Sequence, residues 1–227
     1  TTSNTTSLID YRNYGAANNS KYVNNSYDFK IWTPWKFGFS LGHTIGSSLA
    51  LGATYEYEDY SRINTRINDG GYIDYWTGSY YDSSIADTQM NNHTREVLKA
   101  VSTLKLGVEY KPTTNLALRA GYNYVSPMYF SDGQKDPGLS SLGTSYASAT
   151  DYTDWKATNR FTLGVGYQID KFNIDLAYQY SSQSGDFYPF SNVKNININS
   201  TTYNNIATGT KVKNDKSQLL LTLGYRF

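Results

Sequence analysis

Three segments alternate apolar residues with small or polar ones for nine positions and end in Tyr-x-Tyr: Leu49–Tyr57, Leu116–Tyr124 and Phe172–Tyr180. Strict period two predicts strands with two chemically different faces. One face carries Leu, Ile, Ala and finally Tyr. The other carries Gly52, Thr54 and Glu56 in the first segment, Arg119, Gly121 and Asn123 in the second, and Asn173, Asp175 and Gln179 in the third. Four further runs alternate in the same way: Trp35–Ile45, Thr103–Tyr110, Phe161–Ile169 and Gln218–Phe227. Seven strands are therefore predicted, with Tyr27–Ile31 read as an upward extension of the first across Thr33-Pro34.

The connections between these runs fall into two kinds. Gly46–Ser48, Lys111–Asn115 and Asp170–Lys171 are short and built from turn residues. Each preserves parity, so the apolar faces it joins stay on one side. The segments 1–26, 62–100, 127–158 and 183–217 are long and rich in Asn, Ser, Thr, Tyr, Asp and Gly, and they read as loops. Long structureless loops argue against a soluble domain. Short turns on one rim and long loops on the other are the habit of an outer-membrane barrel. Strands of nine to eleven residues match the length that crosses a hydrocarbon core at a tilt. Tyr55, Tyr57, Tyr122, Tyr124, Tyr178 and Tyr180 fall at the long-loop end, and Tyr110, Phe172, Tyr225 and Phe227 at the other, as two interfacial girdles would. The expected fold is all-β: a transmembrane antiparallel β-barrel, one domain over residues 1–227, in the bacterial outer membrane among lipid and lipopolysaccharide. Seven strands leave two unpaired edges, which hydrocarbon does not tolerate. Either residues 1–34 hide an eighth strand, or the chain is part of a larger barrel.

Composition narrows the chemistry. Lysine and arginine number 20 and acidic residues 19, so no electrostatic case for nucleic acid exists. There is no cysteine, hence no disulfide, thiolate nucleophile or cysteine-ligated metal. The mean hydropathy of −0.57 is bland, as it is for a barrel whose lipid-facing residues alternate with polar ones.

Several stretches carry a family resemblance. They are Trp32-Thr-Pro-Trp-Lys-Phe-Gly-Phe-Ser-Leu-Gly-His43, Tyr55-Glu-Tyr-Glu-Asp-Tyr-Ser61, Arg119-Ala-Gly-Tyr-Asn-Tyr-Val-Ser-Pro-Met128 and Asn159-Arg-Phe-Thr-Leu-Gly-Val-Gly-Tyr167. Asp175-Leu-Ala-Tyr-Gln-Tyr180, Gly185-Asp-Phe-Tyr-Pro-Phe190 and the ending Leu-Gly-Tyr-Arg-Phe227 belong to the same set. Together they resemble the FadL/TodX-type outer-membrane transport proteins, in the branch often labelled hemin receptor. The resemblance implies a fourteen-stranded barrel carrying long-chain fatty acids or other hydrophobic compounds inward. It covers the family's C-terminal half, so the natural polypeptide is expected to be about twice this length. The family's hatch and lateral opening have no counterpart in the chain. Leu221, Leu223, Tyr225 and Phe227 fit the family-level barrel-assembly signal, read by the outer-membrane insertion machinery.

The polar faces carry Lys36, Glu56, Glu58, Lys105, Glu109, Arg119, Asp175 and Arg226. Glu56, Lys105, Glu109, Arg119 and Asp175 are the lumen-facing candidates. Glu109 and Arg119 flank the 111–115 turn at a diagonal cross-strand distance, as a structural ion pair; otherwise Arg119 or Lys105 meets a ligand carboxylate. Tyr72, Ile73, Tyr75, Trp76, Tyr80 and Tyr81, then Met128, Tyr129 and Phe130, then Phe187, Tyr188 and Phe190 are apolar clusters in the long loops. They either pack as a cap or capture an apolar ligand, for which Tyr75, Trp76, Tyr129, Phe130, Phe187 and Phe190 are candidates. The two histidines, His43 and His93, fall at opposite rims, so neither a catalytic dyad nor a pair of haem ligands is expected. No catalytic residue, metal or cofactor is assigned. Two functions follow: passive uptake of hydrophobic compounds, or a non-transporting barrel that docks other outer-membrane proteins through its long loops.

Overall fold

Residues 6–9, 24–27, 29–135, 140–141, 144–145 and 151–227 are described by the computed structural model. Two short strands, β1 (Thr6–Ile9) and β2 (Asn24–Tyr27), pair with each other. β3 (Phe29–Trp32) precedes β4 (Lys36–Ile45), which turns into β5 (Leu49–Asp59). After a 3-10 turn at Tyr60–Arg62 come the hairpin β6 (Asn64–Ile73) and β7 (Tyr80–Ala86) and the helix α1 (Thr88–Val97). β8 (Ala100–Tyr110) and β9 (Leu116–Val125) follow, then the two-residue strands β10 (Ser140–Ser141) and β11 (Thr144–Ser145). The longest strands are β12 (Tyr152–Ile169), β13 (Phe172–Tyr188) and β16 (Thr210–Tyr225), the last after the hairpin β14 (Val193–Ile198) and β15 (Thr201–Asn205).

All seven predicted strands join in one antiparallel sheet of order β16-β13-β12-β9-β8-β5-β4. The sheet is open, with β4 and β16 at its edges. Its register carries the parity argument across all seven strands: His43, Leu51, Val108, Ala120, Leu163, Tyr178 and Leu219 lie opposite one another on a single face. That face is bare. Phe39 is 70% exposed, Leu163 63% and Leu223 71%, and the only buried apolar residues among those described are Ile67, Ala117 and Ala207. The apolar face extends well beyond the few hundred Å² that soluble monomers leave uncovered. Three tyrosines on it lean towards the long-connection end, where each hydroxyl finds a partner. Tyr55 Oη lies 2.8 Å from Ser102 Oγ, Tyr178 Oη 3.0 Å from Ser217 Oγ, and Tyr122 donates to Asn159 Oδ1 at 2.6 Å. Each of these rings lies on the apolar surface with its hydroxyl satisfied at the rim.

The short turns form as the sequence demands. Gly46 and Asp170 take the positive φ that closes their hairpins (60° and 55°), and Thr113 Oγ1 accepts from Leu116 N at 3.1 Å in the third turn. The long connections do not form as expected. Residues 62–100 are not a loop: they hold β6, β7 and α1, whose N-cap Asp87 accepts from Met90 N at 3.0 Å. Within 127–158 and 183–217, β12 begins at Tyr152, β13 continues to Tyr188, and β16 starts at Thr210. These three strands therefore outrun the apolar runs that announced them. In the 1–26 region β1 and β2 are present, and β3 does not extend the first strand of the main sheet. It pairs with β6 instead, in a separate three-stranded sheet β3-β6-β7, because Thr33–Trp35 interrupts the ladder.

Candidate functional site

On the polar face, register sorts the side chains into rows of contrasting chemistry. Gly42, Gly52, Gly107 and Gly121 lie opposite one another on β4, β5, β8 and β9. The row continues as Thr162, Gln179 and Gln218. A Cβ at Gly52 or Gly107 would meet no atom within 4 Å. An open recess of about 640 Å³ lies over Gly52, Gly107 and Gly121, bounded by Ala50, Glu109, Arg119, Gly164, Asp175 and Ala177.

The five predicted lumen candidates all share this face, in two clusters on either side of the glycine row. Towards the long-connection end, Glu56 Oε2 holds Lys105 Nζ at 2.9 Å and Lys36 Nζ at 3.3 Å. Towards the short-turn end, Arg119 bridges Glu109 Oε2 and Asp175 Oδ1, each at 2.6 Å, while Lys111 Nζ sits 3.2 Å from Glu109. Glu109 and Arg119 are directly opposed in register, not diagonal, because the 111–115 turn pairs Tyr110 with Leu118. With two carboxylates on its guanidinium, Arg119 is committed to the sheet's own ion pairs and has little left to offer a ligand.

Two polar-face cations escape the sequence reading. Arg160 and Lys216 lie in one register row with Ser40, Thr54, Lys105, Asn123 and Ser181. Neither makes an ion pair among the described residues, in contrast to Arg119. The signal was parity: Arg160 continues the Thr162, Gly164 series, and Lys216 the Gln218 series, beyond the point where apolar residues stop marking the other face.

Beyond the apolar belt, β12, β13 and β16 run on as a three-stranded ribbon, with a bulge between Trp155 and Thr158 of β12. Asp154 and Asp186 are directly opposed there, and Tyr152 stacks on Tyr188 with ring centroids 4.8 Å apart. Asp154 is only 9% exposed. Burial, and after it the Asp186 carboxylate, pushes its acid up to about 6. Lys156 Nζ, 2.9 Å from Asp186, neutralises the partner.

The apolar residues of the long connections do not gather at one place. Tyr75 and Trp76 are 100% and 97% exposed at the tip of the β6–β7 hairpin. Asp74 Oδ1 fixes that tip by accepting from Trp76 N and Thr77 N. Tyr129 bridges to Leu98, Phe130 lies under Lys99 Nζ at 5.6 Å, and Phe187 is in β13 rather than a loop, with Phe190 just past it. No ring contact among the described residues links the hairpin tip to these four. Of the assembly-signal residues, Leu221, Leu223 and Tyr225 share the apolar face, and Phe227 packs edge-on against Tyr225 at 5.2 Å. His43 lies on the apolar face of β4 in register with Leu51, and His93 on α1. Among the described residues no group of acidic or histidine side chains could hold a metal ion. Comparison of the chain with protein-family models, with curated proteins and with solved structures finds no match.

Proposed function

We propose that the seven-stranded sheet is part of the wall of a bacterial outer-membrane β-barrel of the FadL/TodX type, taking up long-chain fatty acids or other hydrophobic compounds. The observation that carries this reading is the sheet's pair of unlike faces: bare hydrocarbon on one, glycine, hydroxyl and charge on the other, across all seven strands. In water the first face would aggregate; in lipid it is solvated. Short turns on one rim and folded connections on the other support the same reading. So does strand direction. β4 and β16 run the same way in a seven-stranded antiparallel meander, so joining them directly, or through a second copy on the barrel axis, creates parallel seams. An odd number of further strands closes the barrel antiparallel, and seven more from a longer polypeptide gives fourteen. In this reading lipopolysaccharide and lipid surround the wall, and the insertion machinery receives the β16 end.

The test is fractionation and uptake with the full-length protein in a Gram-negative host. The protein is expected in the alkali-resistant outer-membrane fraction, with electrophoretic mobility that changes on boiling, and to raise entry of a radiolabelled long-chain fatty acid. Recovery in the soluble fraction refutes the barrel. A membrane-embedded protein that leaves uptake unchanged favours the second reading, a docking subunit. The exposed Tyr75-Trp76 tip gives that reading its one specific support, since Trp and Tyr dominate binding hot spots.

A further inference from the structure

We propose that the cavity between the Tyr60–Arg62 turn and α1 is a binding site for a phosphate carried on a sugar, held by Arg62 and Arg95. The cavity, of about 540 Å³, is lined by both guanidinium groups, by Ser61, Asn64, Thr88 and Asn91, and by no carboxylate. Its frame is fixed by Asn91, which is only 7% exposed. Asn91 Oδ1 accepts from Thr65 N at 2.7 Å, and Nδ2 donates to Asn64 Oδ1 and to Thr65 O, each at 3.0 Å. That amide locks α1 against the start of β6. Thr88, Asn91 and Arg95 follow at intervals of three and four positions, so they share the helix face that lines the cavity.

What this frame presents is donors. Arg62 Nε is taken by Asp59 Oδ2 at 3.0 Å, and Arg95 Nη2 by Asn92 Oδ1. Among the described residues no acceptor meets Nη1 and Nη2 of Arg62 or Nε and Nη1 of Arg95. Asn64 has spent its carbonyl on Asn91, which leaves its Nδ2 to donate beside them. Asp59 offsets one of the two positive charges, and the other is uncompensated. Two guanidinium forks with amide and hydroxyl donors suit a phosphate monoester and its several terminal oxygens. The cavity is larger than a phosphate, and only Ile63 and Ala86 of its lining are apolar, so the group that carries the phosphate is hydroxylated rather than hydrocarbon. Position on the sheet favours a source. Asp59 continues the series Leu51, Ala53, Tyr55 and Tyr57 along β5, which puts it on the apolar side just past the last tyrosine. In the barrel reading above, on which the source but not the site rests, that is the level of the lipopolysaccharide head groups and their phosphorylated sugars.

The experiment is calorimetric titration of glucose 1-phosphate and of glucose into the full-length, detergent-extracted protein, freed of lipopolysaccharide, and into its Arg62→Gln/Arg95→Gln variant. Wild type is expected to hold the phosphate about tenfold more tightly than the neutral sugar, the effect of one charge-assisted contact. The variant should lose that preference while its circular dichroism spectrum is unchanged. Raising KCl from about 50 to 500 mM should weaken glucose 1-phosphate several-fold. If the double variant does not fold, Arg95→Gln alone, exposed on α1, should still cut the preference about threefold. A second arm measures the lipopolysaccharide that copurifies with each protein from the outer membrane. Less of it on the variant identifies the head group as the source. Equal amounts, with the preference for glucose 1-phosphate lost, identify a free sugar phosphate, and either result supports the site. Equal binding of glucose 1-phosphate and glucose by wild type, or a preference that survives the substitutions, overturns the site and leaves the barrel reading to its own fractionation test.

Discussion

Lowering the pH from 7 to 5 is predicted to tighten the β12–β13 ribbon, because Asp154 is held there in an environment that prefers its neutral form. The carboxyl is buried and faces Asp186 in register, which moves its acid from the ordinary 3.8 to about 6. The sign follows from proton uptake. Between those values the folded ribbon holds a proton that the opened ribbon releases, so stability is greatest at low pH and is lost as pH rises through about 6. Evaluating the two titrations at pH 7 and pH 5 gives a gain of about 1.3 kcal/mol, or roughly tenfold in the opening equilibrium. The other groups acting on Asp154 do not mimic this change. Tyr152, Tyr188 and Tyr129 are pushed above the usual phenol range by burial, and Lys156 is raised by Asp186.

Hydrogen exchange of a peptide covering residues 152–157, which pair with β13 alone, reads the opening directly. After correction for the intrinsic pH dependence of exchange, protection should rise about tenfold from pH 7 to pH 5. Asp154→Asn, a neutral isostere, should be as protected at pH 7 as wild type is in acid, and should show no further gain. Protection that stays flat or falls in wild type, or the same gain in Asp154→Asn, refutes the reasoning.

The Arg119 cluster yields two further predictions. Arg119→Met should lower stability by about 1–2 kcal/mol, since it removes two half-exposed charge contacts, each worth about 1 kcal/mol or less. A denaturation midpoint measures the loss. Gly166→Ala should loosen the same bridge without touching a charge, because a Cβ there overlaps Asp175 Oδ1 and lies 3.0 Å from Arg119 Nη1. Combined with Arg119→Met it should cost little more than Arg119→Met alone; full additivity in denaturation would mean that the two act on different contacts.

Within the apolar belt the sequence was legible because period two leaves no freedom. Once Gly46–Ser48, Lys111–Asn115 and Asp170–Lys171 are taken as parity-preserving turns, Glu56, Lys105, Glu109, Arg119 and Asp175 must share a face. Which of them touch depends on register and side-chain reach. Arg119 meets Asp175, 56 positions away, only because β12 places Gly166, with no side chain, directly opposite Asp175. The long connections were opaque for a different reason. Helix α1 (Thr-Gln-Met-Asn-Asn-His-Thr-Arg-Glu-Val) carries no apolar stripe, and its one strong signal is the Asp87 cap. β6 and β7 are interrupted by a bulge at Asn68–Gly71 that breaks the alternation.

The same distinction explains why Arg160 and Lys216 went unseen. A strand continues as long as its backbone ladder does, whereas hydropathy marks only the stretch whose other face is apolar. At Asn159, Ser182 and Ser217 that other face turns polar, so alternation vanishes from the sequence while the ladder runs on to Tyr152, Tyr188 and Thr210. Asn159 and Ser217 are also the residues that accept or share the hydroxyls of Tyr122 and Tyr178, which sets the edge of the belt at this level. Arg160 and Lys216 therefore stand at the level where the apolar face ends, one row beyond the glycines. Arg119, about half exposed, is held between two carboxylates on the other side of the glycine row. Lys216 is exposed, so hydration rather than a carboxylate satisfies its ammonium.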